Sequence, residues 1–234
     1  SLLKNICAYI TDTLPPEQHI ISANEGNSVA LATGHYLATG KFPLVYMQNS
    51  GLGNTINPLL SLADKDVYSI PLVLLIGWRG QPGIHDEPQH LSQGRLTLPL
   101  LETMEIPFEV LGEDIKEVEG QIQRCYAHLK KNQSPFALVV KKDSFAPYTL
   151  KTKTVDQAPL MREQALEVVL GQLGKDDIVV STTGMASREV YELREKMGQG
   201  HEKDFLTVGS MGHALQIALG IALEQRERRV ICLD

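Results

Sequence analysis

Short, continuous apolar runs alternate with amphipathic or small-residue stretches along most of the chain. Residues 19–23, 43–48, 71–77, 108–111 and 135–141 read as strands, being apolar or β-branched and bounded by Gly, Pro and polar residues. Residues 25–38, 55–65, 96–104 and 113–131 read as helices between them. Leu2, Leu3, Ile6, Cys7 and Ile10 already set a helical rhythm at the start. Residues 78–93 form a polar loop rich in Gly, Pro and His. A second series follows: helix 162–173, strand 177–181, helix 186–197, strand 205–208, helix 211–225 and strand 229–233.

Fully apolar strands separated by helices predict parallel sheets covered on both faces. The expected class is α/β, with two doubly wound parallel-sheet domains. Residues 142–159 lack an apolar period and carry Lys, Thr, Pro147 and Pro159. We therefore expect domains at 1–142 and 160–234 joined by a linker over 143–159. The last strand has no loop and helix after it to cover its sheet. The second domain is accordingly expected to be incomplete in this chain.

Composition narrows the function classes. With 43% hydrophobic and 21% charged residues in 234, the chain has the make-up of a globular protein and not of a disordered one. The longest apolar run is about one strand long, far short of the roughly 20 residues a membrane helix needs. No charged-then-apolar leader is present, so no membrane association or export is expected. The net charge of -6 argues against a nucleic-acid partner but leaves room for a small anion held by local donors. Cys7, Cys125 and Cys232 are odd in number and form no CxxC pair, which suits free thiols in a reducing cytoplasm.

Four stretches break the plain pattern. Asn24-Glu25-Gly26 opens a helix of small residues; it reads either as ordinary charge complementarity at a helix start or as a face that something approaches closely. Gln48-Asn49-Ser50-Gly51-Leu52-Gly53-Asn54 follows a strand, as a capped turn or as a ligand-facing loop, and is not a Walker loop. Trp78-Arg79-Gly80 and His85-Asp86-Glu87-Pro88-Gln89-His90 share one long loop whose His spacing fits no common zinc pattern. Val208-Gly209-Ser210-Met211-Gly212 follows another strand and precedes a second run of small residues.

Ala23-Asn24-Glu25-Gly26, the Gln48 to Asn54 run and Gly209-Ser210-Met211-Gly212 together resemble the thiamine-diphosphate-dependent 2-oxo acid decarboxylases. The Ser1-Leu2-Leu3-Lys4 start, Asp86-Glu87-Pro88-Gln89-His90, Thr182-Thr183-Gly184 with Ser187-Arg188-Glu189, and His201 to Phe205 resemble the branch acting on phosphonopyruvate, with the sulfopyruvate branch as the alternative. A non-catalytic homologue that merely binds the cofactor is a third reading, against which the intact Glu25 speaks. The resemblance covers essentially the whole chain, in order.

It implies a pyrimidine-binding domain followed by a diphosphate-binding domain, with thiamine diphosphate and Mg²⁺ as cofactors. Glu25, the catalytic residue, would hydrogen-bond a ring nitrogen of the cofactor's aminopyrimidine. Asn49, Ser50 and Gly51 would join it in holding the cofactor. Gly209 would offer its carbonyl to the amino group, beside Ser210, and Met211 would wedge beneath the bent cofactor. The family's Gly-Asp-Gly metal motif is absent, Asp234 matching only the residue before it, so no metal ligand is expected here. The substrate would be a short 2-oxo acid with a second anionic group, for which Arg79, His90, Ser187 and Arg188 are candidate contacts. A homodimer or larger assembly with active sites between subunits is also implied.

Overall fold

In the computed structural model, which describes residues 2–152 and 158–234, the apolar runs become two parallel sheets. The chain divides into two units, Ser1–Lys153 and Thr154–Asp234. The first contains β1 (Leu44–Gln48), β2 (Val73–Gly77), β3 (Phe108–Val110) and β4 (Phe136–Val140), in the order β1-β2-β4-β3. All neighbours are parallel, with Leu74 of β2 opposite Val45 of β1 and Ala137 of β4.

Alternate side chains of these strands enter opposite cores. Leu74 and Ile76 pack with α2 (Glu25–Thr39), α3 (Leu52–Pro58) and α4 (Pro88–Thr103) through Val29, Leu52 and Leu101. Leu75, Leu138 and Val140 pack on the other face with α1 (Lys4–Thr13) and α5 (Ile115–Asn132) through Ile6, Cys125 and Leu129. Each fully buried Leu or Ile contributes about 1.5–3 kcal/mol relative to exposure, so the two-sided burial of β2 and β4 is what holds this sheet.

The helices have local reasons to begin and end where they do. Asn24 caps α2, its side chain accepting from Gly26 N at 2.8 Å, and Gly40 closes the helix at φ 67°. Asp114 caps α5, whose last turn carries Lys130 and Lys131 against the exposed carbonyls. Pro88 starts α4 at its first position, where a missing N–H and a fixed φ suit a helix.

The second unit repeats the plan on a smaller scale. β5 (Ile178–Ser181) lies between β6 (Asp204–Leu206) and β7 (Val230–Leu233), parallel to both. Val179 packs against α6 (Arg162–Gly171) and α7 (Met185–Lys196) through Leu170, Val190 and Leu193. Val180 packs on the opposite face against Ala214 and Ala218 of α8 (Ala214–Glu224). The α/β class with doubly wound parallel sheets thus holds in each unit.

Four expectations are corrected. Residues 19–23 form no strand: Ile20 and Ile21 are exposed, and β1 keeps a free outer edge in the ladder order. β-propensity yields a strand only where a ladder partner is reached. Helix 55–65 instead begins at Leu52 and, after Pro58, widens into the π-helical turn Leu59–Ala63, since Pro58 cannot donate the usual bond. Residues 88–93 belong to α4 and not to a loop. Finally, α8 starts at Ala214, because Ser210 (φ 55°) and Gly212 (φ 78°) hold the chain in left-handed turns up to it.

Much of the expected linker is bound to the first unit. Asn5 Nδ2 donates to Phe145 O at 3.2 Å, Tyr148 meets Tyr9 edge-on, and Asp12 accepts from the amides of Lys151 and Thr152. The part of the linker expectation at 153–157 lies outside the described residues.

Candidate active site

In the first unit the candidate residues meet at the carboxyl ends of β1 and β2 and the start of α2. Glu25 is the first residue of α2, half-buried, with Oε2 accepting from Asn54 Nδ2 at 2.9 Å. No described residue donates to its Oε1. The carboxylate lies over Gly51: a Cβ there would stand 2.5 Å from Glu25 Cδ. Gly26 shows the same close approach, since a Cβ would meet Asn54 O at 2.7 Å. The small residues at both positions are therefore explained by the start of α2 resting on the turn before α3 and on the first turn of α3 itself. Glu25 also lines a groove of about 530 Å³ between residues 14–24, α2 and β1, walled by Ile21, Leu31 and Met47 among others.

Asn49 has a different place from the one expected. It is buried, and its Nδ2 donates to Arg79 O (2.8 Å) and Thr97 Oγ1 (2.9 Å) while its Oδ1 accepts from Arg79 N (3.1 Å). Its amide is engaged inside the protein, where it fixes the end of β2 against that of β1. Ser50, half-buried beside it, accepts from Gln48 Nε2.

Arg79 forms a two-pronged pair with Asp86, Nε to Oδ2 at 2.7 Å and Nη2 to Oδ1 at 2.5 Å. Asp86 also accepts from the amides of Gly80 and Glu87. The guanidinium holds the Asp86 carboxyl far below the usual range, with the two amides adding to it, so Asp86 stays charged. Burial, and next the charge of Arg79, push the His90 imidazole below its ordinary value, and its Nδ1 is buried without a hydrogen-bond partner among the described residues. Gly80 (φ 68°) and Gly94 are in backbone contact, and Trp78 Nε1 donates to Gly94 O at 2.7 Å, which seats this loop on α4.

The remaining candidates lie in the second unit, at the carboxyl ends of β5 and β6. Ser187 is buried and donates to Thr182 O at 2.7 Å, so its hydroxyl serves the turn into α7. Arg188 is exposed, and its guanidinium has no partner among the described residues. Thr207 Oγ1 donates to Ser181 O at 2.8 Å, bringing the two strand ends together. Gly209 and Ser210 form the turn after β6. Met211 is 62% exposed and is not a core residue at a helix start. His213 Nδ1 donates to Met211 O at 2.9 Å and fixes that turn from the other side.

Sequence reasoning missed three partners: Asn54, Asp86 as the holder of Arg79, and Thr97. Asn54 and Asp86 stood inside motifs already singled out; Thr97 gave no local signal. Among the described residues no group of three His, Cys, Asp or Glu could hold a metal ion, and no helix is long and apolar enough to cross a membrane.

Fold and site together define a parallel α/β protein with a helix-opening carboxylate beside a glycine turn at its strand ends. Comparison with known proteins carries this further. Residues 4–98 match the thiamine pyrophosphate enzyme N-terminal TPP-binding domain. The chain is 32% identical to phosphonopyruvate decarboxylase of Streptomyces viridochromogenes, over 97% of this chain and 60% of that protein. It is 30% identical to sulfopyruvate decarboxylase of Methanosarcina acetivorans, over 99% of this chain and 62% of that protein. Over 45% of its length it is 41% identical to the α subunit of sulfopyruvate decarboxylase of Methanococcus maripaludis, covering 60% of that subunit. The chain is thus similar to the thiamine pyrophosphate enzymes over residues 4–98, and to these decarboxylases over nearly its whole length. It spans about three-fifths of the length of these curated relatives.

Proposed function

We propose that this chain carries the pyrimidine-side carboxylate of a thiamine-diphosphate-dependent carboxy-lyase that converts 3-phosphonopyruvate to phosphonoacetaldehyde and CO₂, a step of phosphonate biosynthesis. The observation that carries this reading is Glu25. One carboxylate oxygen is held by Asn54, the other has no donor among the described residues, and Gly51 leaves the space the carboxylate needs. Such a carboxylate at the edge of a groove fits a planar ring with a polar edge, as the cofactor's aminopyrimidine is.

Bound thiamine diphosphate supplies an electron sink for the bond to the departing carboxylate. The protein's own groups do the rest. Glu25 holds and exchanges a proton at the ring nitrogen, a role that suits a carboxylate within hydrogen-bond reach. Asn54 keeps that carboxylate oriented. Asn49 and Asp86 fix the Arg79 loop beside it. Gly209, Ser210 and Met211 are proposed cofactor contacts from the second unit, and Arg188 an anion contact. Residues 1–142 and 160–234 are read as pyrimidine- and diphosphate-binding domains. Mg²⁺ is proposed as the diphosphate's counter-ion, and because the described residues hold no ligand set for it, no step is assigned to it. A homodimer or larger assembly is proposed, in keeping with a relative named as one subunit of an enzyme.

Glu25→Gln tests the reading. The amide keeps an acceptor for Asn54 but cannot exchange the proton. Decarboxylation should fall by about 10²–10⁴-fold, with the melting temperature maintained. An unchanged rate removes Glu25 from its role. The sulfopyruvate-cleaving relatives support the same chemistry on a sulfonate, and a higher kcat/KM for sulfopyruvate than for phosphonopyruvate would reassign the substrate.

A further inference from the structure

A second cavity opens at the carboxyl ends of the two central strands of the first unit. It measures about 160 Å³ and is lined by Trp78, Arg79, His85, Asp86 and Lys142, among others. Trp78 N donates to Val140 O at 2.8 Å, so the loop after β2 is tied to the end of β4, two residues before Lys142. Ligands of parallel α/β sheets bind at such ends.

The charges around this cavity do not balance. Arg79 and Lys142 are cationic and Asp86 is the single carboxylate among the lining residues. Asp86 is saturated: each of its oxygens accepts two hydrogen bonds, from Arg79 and from one backbone amide. It has nothing left for Lys142, whose ammonium has no ion-pair partner among the described residues. Arg79 in turn keeps Nη1 without a hydrogen-bond partner among the described residues after pairing through Nε and Nη2. Its side chain is 24% exposed and that of Asp86 13%, so screening by water is incomplete. A locked arginine and an unpaired lysine at a small, partly enclosed cavity suit one compact oxyanion with several acceptor oxygens.

We propose that this cavity binds the non-reacting XO₃ group of the substrate, with Lys142 and Arg79 as its contacts and Asp86 as the positioning residue for Arg79. The inference rests on the decarboxylase reading for the identity of the substrate. Asn49 supplies the route between the two sites, since it binds Arg79 at both backbone atoms and stands two residues before Gly51, on which Glu25 rests. An acid group held here would select 2-oxo acids with a second anion over simple ones.

Trp78 is the only tryptophan and lines the cavity, so its fluorescence reports occupancy without turnover. The full chain is titrated with methylphosphonate and, separately, with methanesulfonate, and the stronger binder identifies the group. Saturable quenching is expected, weakened about tenfold or more in Lys142→Met. In the holoenzyme the same variant should lower the kcat/KM ratio for phosphonopyruvate over pyruvate by about tenfold or more, mainly through KM. Lys141→Met, at a neighbouring lysine paired with Glu113, should leave that ratio intact. Wild-type turnover with no change of ratio in Lys142→Met overturns the proposal and spares the decarboxylase reading. Anion binding sensitive to Lys142 in a protein that turns over no 2-oxo acid supports the cavity and overturns that reading. No saturable response to either anion overturns the cavity.

Discussion

Gly51→Ala separates the position of the Glu25 carboxylate from the stability of the fold. The added Cβ would stand 2.5 Å from Glu25 Cδ and 2.6 Å from Cγ, where carbon contacts settle near 3.5 Å. The carboxylate must therefore retreat by roughly 1 Å. What moves is the end of a flexible side chain, so a rotation about its bonds suffices. An off-rotamer rotation costs about 0.5–1.5 kcal/mol. Gly51 has φ -86° and ψ -11°, which alanine adopts freely, and replacing a glycine there returns about 0.5–1 kcal/mol. The two nearly offset each other, and the melting temperature should move by no more than about 4 °C for a chain of this size.

The reaction should respond far more. A misplacement of about 1 Å in a reacting group lowers rates by about 10²-fold, or about 2.7 kcal/mol. The assay is CO₂ release from 3-phosphonopyruvate by the full chain with thiamine diphosphate and Mg²⁺, alongside a calorimetric scan. Gly53→Ala is the control, because a Cβ there meets nothing within 4 Å: the rate should stay at the wild-type value, while the melting temperature should rise by the few degrees that alanine returns inside a helix. A Gly51→Ala rate within threefold of wild type, with the fold intact, would refute the argument that the glycine serves the carboxylate. Loss of fold together with rate would also refute it, since the glycine would then serve the backbone.

Two further predictions concern stability. Arg194 and Asp204 form a two-pronged pair in the second unit, with side chains 10% and 1% exposed. Asp204→Ala leaves a buried guanidinium uncompensated and should destabilise that unit by about 3–5 kcal/mol in denaturant unfolding, and a loss under about 1 kcal/mol would contradict this. The Asp12 carboxyl is drawn down to about 2, first by the Thr152 hydroxyl and then by the Lys151 and Thr152 amides. Because its folded value lies below its unfolded one, its contribution is complete above about pH 4 and fades as pH falls toward 2. Hydrogen-exchange protection of the Lys151 and Thr152 amides should follow that course, and Asp12→Ala should remove it at neutral pH. Equal protection factors at pH 2 and 7 would show that Asp12 does not fasten this segment.

The sheets were legible because parallel strands buried on both faces are written as unbroken apolar runs, as at β2 and β4. The elements that were misread depend on partners or single residues that composition hides. Residues 19–23 have a strand's composition but not a strand's neighbour, and a groove lies between the preceding segment and the free edge of β1. The start of α4 sits in a polar stretch, where only the position of Pro88 marks it. The turns at Ser210 and Gly212 delay α8 by a left-handed path that a periodicity reading cannot see.

The candidate site was legible in location but not in the aim of its side chains, and the reason is that its amides and charges pair across sequence distance. Asn49 reads as a ligand-facing amide because it follows a strand, yet its partners are Arg79 and Thr97, on elements 30 and 48 residues away. Arg79 reads as a free anion contact, yet Asp86 takes two of its nitrogens and leaves one. On the proposed reading these pairings leave the residues in the chemistry and change what each supplies. Asn49 fixes the geometry between Gly51 and Arg79, its amide engaged by Arg79 and Thr97. Arg79 offers one directed donor from a locked frame in place of a mobile fork. A site of this kind gains selectivity from the residues that hold its contacts still. On that argument Asp86 and Asn49, which need touch no ligand, should matter to substrate choice as much as the cations they position.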